Sequence, residues 1–211
     1  MHMLIRALVY SQDEEDALTD AKEIFERLTD DQDPFDYFTT FDQDGKGVSG
    51  KDRWENVPVV ARADSDQGKK LVEEGMQATL EEARANLLRI RHGLAHLTDE
   101  EIIEGVTKGV ETPGLFLTRL SPVTGQEVTI EERMCLSATM LRHTMSKMGE
   151  YNGPSIWLYD HDGMGILDRG FLQNTLDKWE PQDTLRRIGG GKAEYPYDGL
   201  EVWVVPADVH Y

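Results

Sequence analysis

Apolar positions along the chain fall into strand-like runs at both ends and helical stripes between them. Residues 2–10, HMLIRALVY, read as a strand, with Leu4, Ala7 and Val9 among its apolar positions. Ser11 and Glu14 have the spacing of a capping box. The helix this predicts carries Ala17, Leu18, Ala21, Ile24, Phe25 and Leu28 on one stripe, with acids opposite. Asp30 to Pro34 ends it, and Phe35 to Phe41 reads as a second strand.

The other end repeats that plan. Ser155 to Leu167, SIWLYDHDGMGIL, is a short apolar strand running into an acidic, glycine-rich turn. Trp157 and Tyr159 fall on one face, Ile156 and Leu158 on the other. A strand apolar on both faces predicts the centre of a sheet. Asp168 is placed to cap a helix bearing Phe171, Leu172, Leu176 and Trp179, which Pro181 stops. Leu200 to Val205 reads as the last strand. Two β-α-β units predict an α+β fold, a ferredoxin-like antiparallel sheet built from residues 1–49 and 151–211. In that layout the first and third strands are central, and the second is antiparallel to the third.

Residues 50–150 read as a helical insertion between the second and third strands. From Asp66 to Leu94 one stripe runs through Val72, Met76, Leu80, Ala83, Leu87, Ile90 and Leu94. Thr98 with Glu101 makes a capping box before Ile102 to Val110. Thr129 with Glu132 makes another before a helix with Ile130, Met134, Ala138, Leu141, Met145 and Met148 in line. The first helix would be roughly 40 Å long at 1.5 Å per residue. A four-stranded sheet is only about 15 Å across. The stripe therefore needs a second covering surface: the other inserted helix, or a partner chain.

Charge narrows the classes of partner. The chain has 211 residues and a net charge of −18, from 40 acidic and 22 basic side chains. That surplus repels phosphate backbones and anionic lipid heads, which argues against direct nucleic-acid and membrane-surface binding. The acids are spread along the chain, as a surface adapted to high salt would have them; an acidic mimic of nucleic acid is the sharper alternative. Cys135 stands alone, so no intrachain disulfide forms. No apolar run reaches membrane-spanning length, and the expected location is the cytoplasm.

Candidate chemistry centres on two echoing turns, Asp42 to Gly47 and Asp160 to Gly165. A calcium loop wants acids at positions one, three and five, glycine at six and glutamate at twelve. Asp42 and Asp44 fit in the first turn, but Lys46 and Arg53 stand where ligands belong. Asp160 and Asp162 fit in the second, but Met164 and Phe171 take the same places. These four aspartates are the candidate ligands of a divalent cation; the plain reading is a tight turn in which Asp bonds its own backbone. No other cofactor is indicated. His161 and Asp162 are the candidate catalytic pair of a metal-assisted hydrolase or nuclease. His92 and His96, four apart, share a helix face without a third ligand. Arg186, Arg187 and Lys192 flank three glycines, but the spacing is not that of a phosphate-cradling loop. Methionines at 76, 134, 140, 145, 148 and 164 read chiefly as core.

The opening strand and acidic helix, the DPFDYF stretch and the finish LEVWVVPADVHY resemble a loose group of small uncharacterised phage and prophage proteins. The resemblance covers about the outer third of the chain. It implies a viral or mobile-element origin, and few lysines among many acids suit a haloarchaeal host. No activity carries over. The resulting expectation is an accessory, protein-binding module without catalysis, dimeric through its inserted helices.

Overall fold

The computed structural model describes residues 2–30, 34–43, 49–105, 110–111, 115–120, 127–132, 135–148, 156–176 and 200–210. Strand β1 (His2–Ser11) leads into α1 (Glu14–Arg27), then β2 (Tyr37–Thr40). The middle holds β3 (Ala61–Arg62), α2 (Asp66–His96), α3 (Asp99–Glu104), β4 (Val110–Glu111), β5 (Leu115–Leu120), β6 (Glu127–Glu132), β7 (Cys135–Leu136) and α4 (Ala138–Met148). The chain returns through β8 (Leu158–Tyr159), α5 (Arg169–Leu176) and β9 (Glu201–His210). The fold is mixed α+β, a five-stranded sheet with a large, mainly helical insertion.

The sheet is organised on β1 and β9. They pair antiparallel along their whole length, from His2 opposite His210 to Ser11 opposite Glu201. Alternation sorts their side chains. Met3, Ile5, Ala7 and Val9 join Val205, Ala207 and Val209 beneath Ala21, Ile24 and Phe25 of α1. Leu8 and Val204 face the other way, onto Leu71, Val72 and Met76 of α2. Both central strands are thus covered on both faces.

The strand order is β2-β9-β1-β8, with β3 also paired to β9. Two expected neighbours hold: β1 lies beside β8 in parallel and beside β9 in antiparallel. The second strand does not lie beside the third, as a ferredoxin-like order requires; β2 pairs with the outer edge of β9. The outer edge of β8 is taken by its own returning turn, where Tyr159 bridges Gly165 and Ile166 N–H donates to the Leu158 carbonyl, whereas ten-residue β9 has edge enough for β2 and β3. Nor is β8 central. Its apolarity on both faces comes from helices: Ile156 and Tyr159 sit in the cluster under α1, Leu158 and Ile166 in the cluster under α2. An edge strand sandwiched between helices carries the same pattern as a central one. β3 also belongs to the sheet, although it falls inside the expected insertion.

The long helix is present, at 31 residues, capped where Gly68 N–H donates to Ser65 Oγ at 3.0 Å. Its first half lies close on the sheet. A Cβ at Gly68 would fall 1.9 Å from the Arg62 carbonyl oxygen, and one at Gly75 3.0 Å from Arg6 Cδ. Its second half runs past the sheet and packs on α4. There Leu97, Ala138 and Leu141 form a small core with Ile90 and Ile102.

The capping signals divide. Thr98 and Glu101 do form a box at the start of α3, but that helix ends early at Gly105, in the left-handed region at φ 71°. The first helix is capped by Asp13, which accepts from Glu15 and Asp16, not by Ser11. The stretch around Thr129 and Glu132 is strand β6, paired with β5. Val128 and Ile130 alternate there with polar residues, a period of two that overrides the box. The helix itself starts at Ala138, where Met140 N–H donates to Ser137 Oγ.

Candidate functional site

The Asp160 turn is closed by its own backbone. Asp160 Oδ1 accepts from Asp162 N at 3.0 Å and Met164 N at 2.8 Å, and Ile166 N–H returns to the Leu158 carbonyl. Gly163 takes a positive φ of 79° at the bend. Burial pushes the Asp160 carboxyl above its usual range, partly offset by those backbone bonds. His161 Nδ1 accepts the Tyr10 backbone N–H at 3.3 Å, which extends the edge of β1 past β8. That contact leaves Nδ1 without a proton. Asp162 is exposed.

Asp42 lies at the other edge of the sheet. Lys22 of α1 donates to it at 2.7 Å. Burial alone would raise its carboxyl, but the Lys22 hydrogen bond and charge hold it below the ordinary value. Asp44 lies outside the described residues, as do Arg186, Arg187 and Lys192. Because β1, β2 and β8 run in one direction, the two turns lie at the same end of the sheet, not at opposite ends. Three strand spacings, about 14 Å, still separate their edges, so the strand order does not bring them together. Among the described residues no group of three His, Cys, Asp or Glu side chains is placed to hold a metal ion.

The His92 and His96 rings lie tilted to each other with centroids 4.1 Å apart, and His96 Nδ1–H donates to the His92 carbonyl at the end of α2. Met76 is core; Met140, Met145 and Met164 are exposed.

A side-chain cluster that sequence reasoning did not assemble sits where β1, β2 and β9 meet. His2, Tyr37, Asp208 and His210 project from the α2 side of the sheet, since His2 is opposite His210 and Tyr37 is opposite His210. His2 Nδ1 donates to Asp208 Oδ1 at 3.0 Å, and Gly50 N donates to Asp208 Oδ2 at 2.8 Å. Asp208 is fully buried, its two oxygens held from opposite sides. His210 Nδ1 donates to Asp36 Oδ2 at 2.8 Å. The two imidazoles lie edge to face at 5.2 Å, and Tyr37 stacks on His210 at 5.3 Å. Two imidazole–carboxylate pairs thus share one patch, and each carboxylate orients its ring. Further along the same face Arg6 is buried, its guanidinium on the Leu4 carbonyl and, at 3.4 Å, on Glu74. Burial lowers its pKa to about 10, against the pull of Glu74.

The second feature is the outer face of α2 beyond the sheet. Arg84, Leu87, Leu88, Arg91, Leu94 and Ala95 are all exposed and recur at three- and four-residue spacing, so they line one side of the helix. Leu87 and Leu94 prolong the stripe that buries Val72 and Met76, past the point where the sheet ends.

The sequence model of a family described as "Domain of unknown function (DUF7995)" matches residues 1–109 and 117–211. The chain belongs to this family. The match takes in the whole described sheet, both imidazole–carboxylate pairs and the exposed stretch of α2. No curated protein and no solved structure matches the chain. Among the described residues no helix is long and apolar enough to cross a membrane.

Proposed function

We propose that the chain is a protein-recognition module, in which the sheet is the scaffold and the inserted helices carry the contact surface. The observation behind this reading is where exposed apolar side chains fall. Leu87, Leu88 and Leu94 on α2, Ile103 on α3, and Met140 and Met145 on α4 are all open to solvent. Scattered apolar residues on a surface are ordinary, but a concentration on one substructure marks an interaction site. The test is site-specific photo-crosslinking, with the crosslinker at Leu88 and, as control, at Glu15 on α1. A discrete protein adduct at position 88, absent at 15 and lost with Leu94→Glu, is the expected result. Adducts at both positions or at neither would remove the reading, and an adduct between two copies would make the partner a second chain.

A second reading, acid–base catalysis, has one observation in its favour. The His2–Asp208 pair, with His210 beside it, holds oriented imidazoles of the kind that move protons. It stands on the β1–β9 ladder and not on the Asp160 turn, whose acceptor oxygen is taken up by backbone N–H groups. Hydrolysis of activated ester and phosphodiester substrates, lost in His2→Gln, is the measurement that would favour it.

A further inference from the structure

We propose that the outer face of α2 from Arg84 to Leu94 docks an amphipathic helix of a protein partner whose flanking residues are acidic. This rests on the protein-recognition reading and adds the partner's chemistry. From Ala83 to Thr98 the chain contains no Asp or Glu, although acids make up 40 of its 211 residues. The change is abrupt along one face of one helix. Glu73 and Gln77 lie on that face over the sheet, and Glu73 is held there by Arg169. One turn beyond Glu81 the same side becomes Arg84, Leu87, Leu88, Arg91 and Leu94, all exposed.

Leu87 and Leu94, two turns apart on one side of this face, and Leu88 on the other offer apolar anchors to a second helix. Arg84 and Arg91 project between them, one turn before and one turn after Leu87 and Leu88. Their long stems add to the apolar surface, and their length lets the guanidinium groups reach the rim of a docked helix, where they meet carboxylates in two-pronged geometry. A neutral or basic helix would gain the leucine contacts and lose the rim. A nucleic-acid backbone would meet the arginines but has no use for three leucines.

Charge also argues against a second copy as occupant. A two-fold pair through this face sets the same patch against itself. It would collect four guanidinium groups, from Arg84 and Arg91 of each chain, with no carboxylate from this stretch between them. An acidic partner helix supplies the missing charge.

The experiment uses the full-length protein and a displayed library of helical peptides. Leucine is fixed at i, i+3, i+4 and i+7, and the other surface positions are each Glu or Lys. Enrichment of Glu over Lys by about tenfold is expected, and it should collapse with Arg84→Glu/Arg91→Glu. Helix content by circular dichroism keeps the fold in view, and Arg84→Ala/Arg91→Ala serves as the milder variant. Enrichment of Lys, or equal recovery of both, would overturn the acidic assignment while leaving the docking face standing. Recovery no better than from a library with alanine at the fixed positions would bring down the recognition reading itself. A dimer in light scattering that Leu88→Glu splits would overturn the separate partner.

Discussion

His2 and Asp208 stand 206 positions apart in sequence and 3.0 Å apart in space. The contact ties the first strand to the last at the open end of their ladder. Asp208 is fully buried, with His2 on one oxygen and the Gly50 amide on the other. Asp208→Ala strands both donors and is expected to cost about 1–3 kcal/mol in urea denaturation. His2→Ala should cost less, and the double-mutant cycle should return a coupling of about 0.5–3 kcal/mol. Additive losses would show that the pair is not a unit.

Asp160 gives the opposite expectation, with a pH signature. Burial raises its carboxyl above the ordinary carboxylate value. Folding therefore favours the protonated form. The contribution is full below the unfolded-state pKa and is lost as pH rises through the folded one. Asp160→Asn keeps an oxygen for the Asp162 and Met164 amides and removes the charge. It should be at least as stable as the parent at pH 7, with the advantage shrinking in acid. Asp160→Ala should lose about 1–2 kcal/mol at either pH, because the turn loses its acceptor. A thermal melt of each at two pH values decides it.

Glu73 runs the other way. The Arg169 hydrogen bonds hold its carboxyl below the usual range. Its stabilising contribution is present above the unfolded-state pKa and falls away as pH drops through the folded one. Both side chains are more than half exposed, so Arg169→Ala should lower the melting temperature only slightly, and less in high salt.

Helix propensity alone says that Gly→Ala should stabilise α2 by about 1 kcal/mol. Close approach to the sheet reverses that. At Gly68 the new methyl meets backbone 1.9 Å away, so Gly68→Ala should be strongly destabilising. At Gly75 the nearest atoms are Arg6 Cδ at 3.0 Å and the Trp157 carbonyl oxygen at 3.3 Å, a far smaller overlap, so Gly75→Ala should cost clearly less than Gly68→Ala. Denaturation midpoints that rank the two the other way would put α2 in the wrong place.

Leu88→Ala should change stability by less than about 1 kcal/mol, against about 2–5 kcal/mol for Leu71→Ala on the same helix. Leu71 is 4% exposed and packs on the sheet; Leu88 is 44% exposed. Equal losses would mean that Leu88 serves folding and not docking.

Local signals in the sequence located local structure well. The stripe from Val72 to Leu94 marked α2 almost to its ends, and Thr98 with Glu101 marked the start of α3. What depends on partners far along the chain was not legible. β2 has no residue that says whether it pairs with β8 or β9; the length of β9 decides it. The stripe itself did not reveal that Leu87 and Leu94 would stay uncovered, because the same periodicity serves a helix on a sheet and a helix beyond one. The imidazole–carboxylate patch draws its members from opposite ends of the chain. His2 sits two before Leu4, and Asp208 two before His210, so each strand places them on one face; only the register of β1 on β9 brings them together. The aspartates of the Asp160 turn stand two apart in sequence, and such closeness is what lets a turn satisfy its own hydrogen bonds.

The β1–β9 ladder also governs the order of assembly. A ribosome releases β1 long before β9 exists, and β1 must wait with its apolar residues unmatched on one edge while the entire helical insertion emerges. Closing so large a loop is slow, since chain entropy is lost before the ladder begins to repay it. The nascent chain therefore passes through a prolonged stage in which an unpaired strand is open to capture by another such strand, and a chaperone that shields β1 should raise the yield of folded protein.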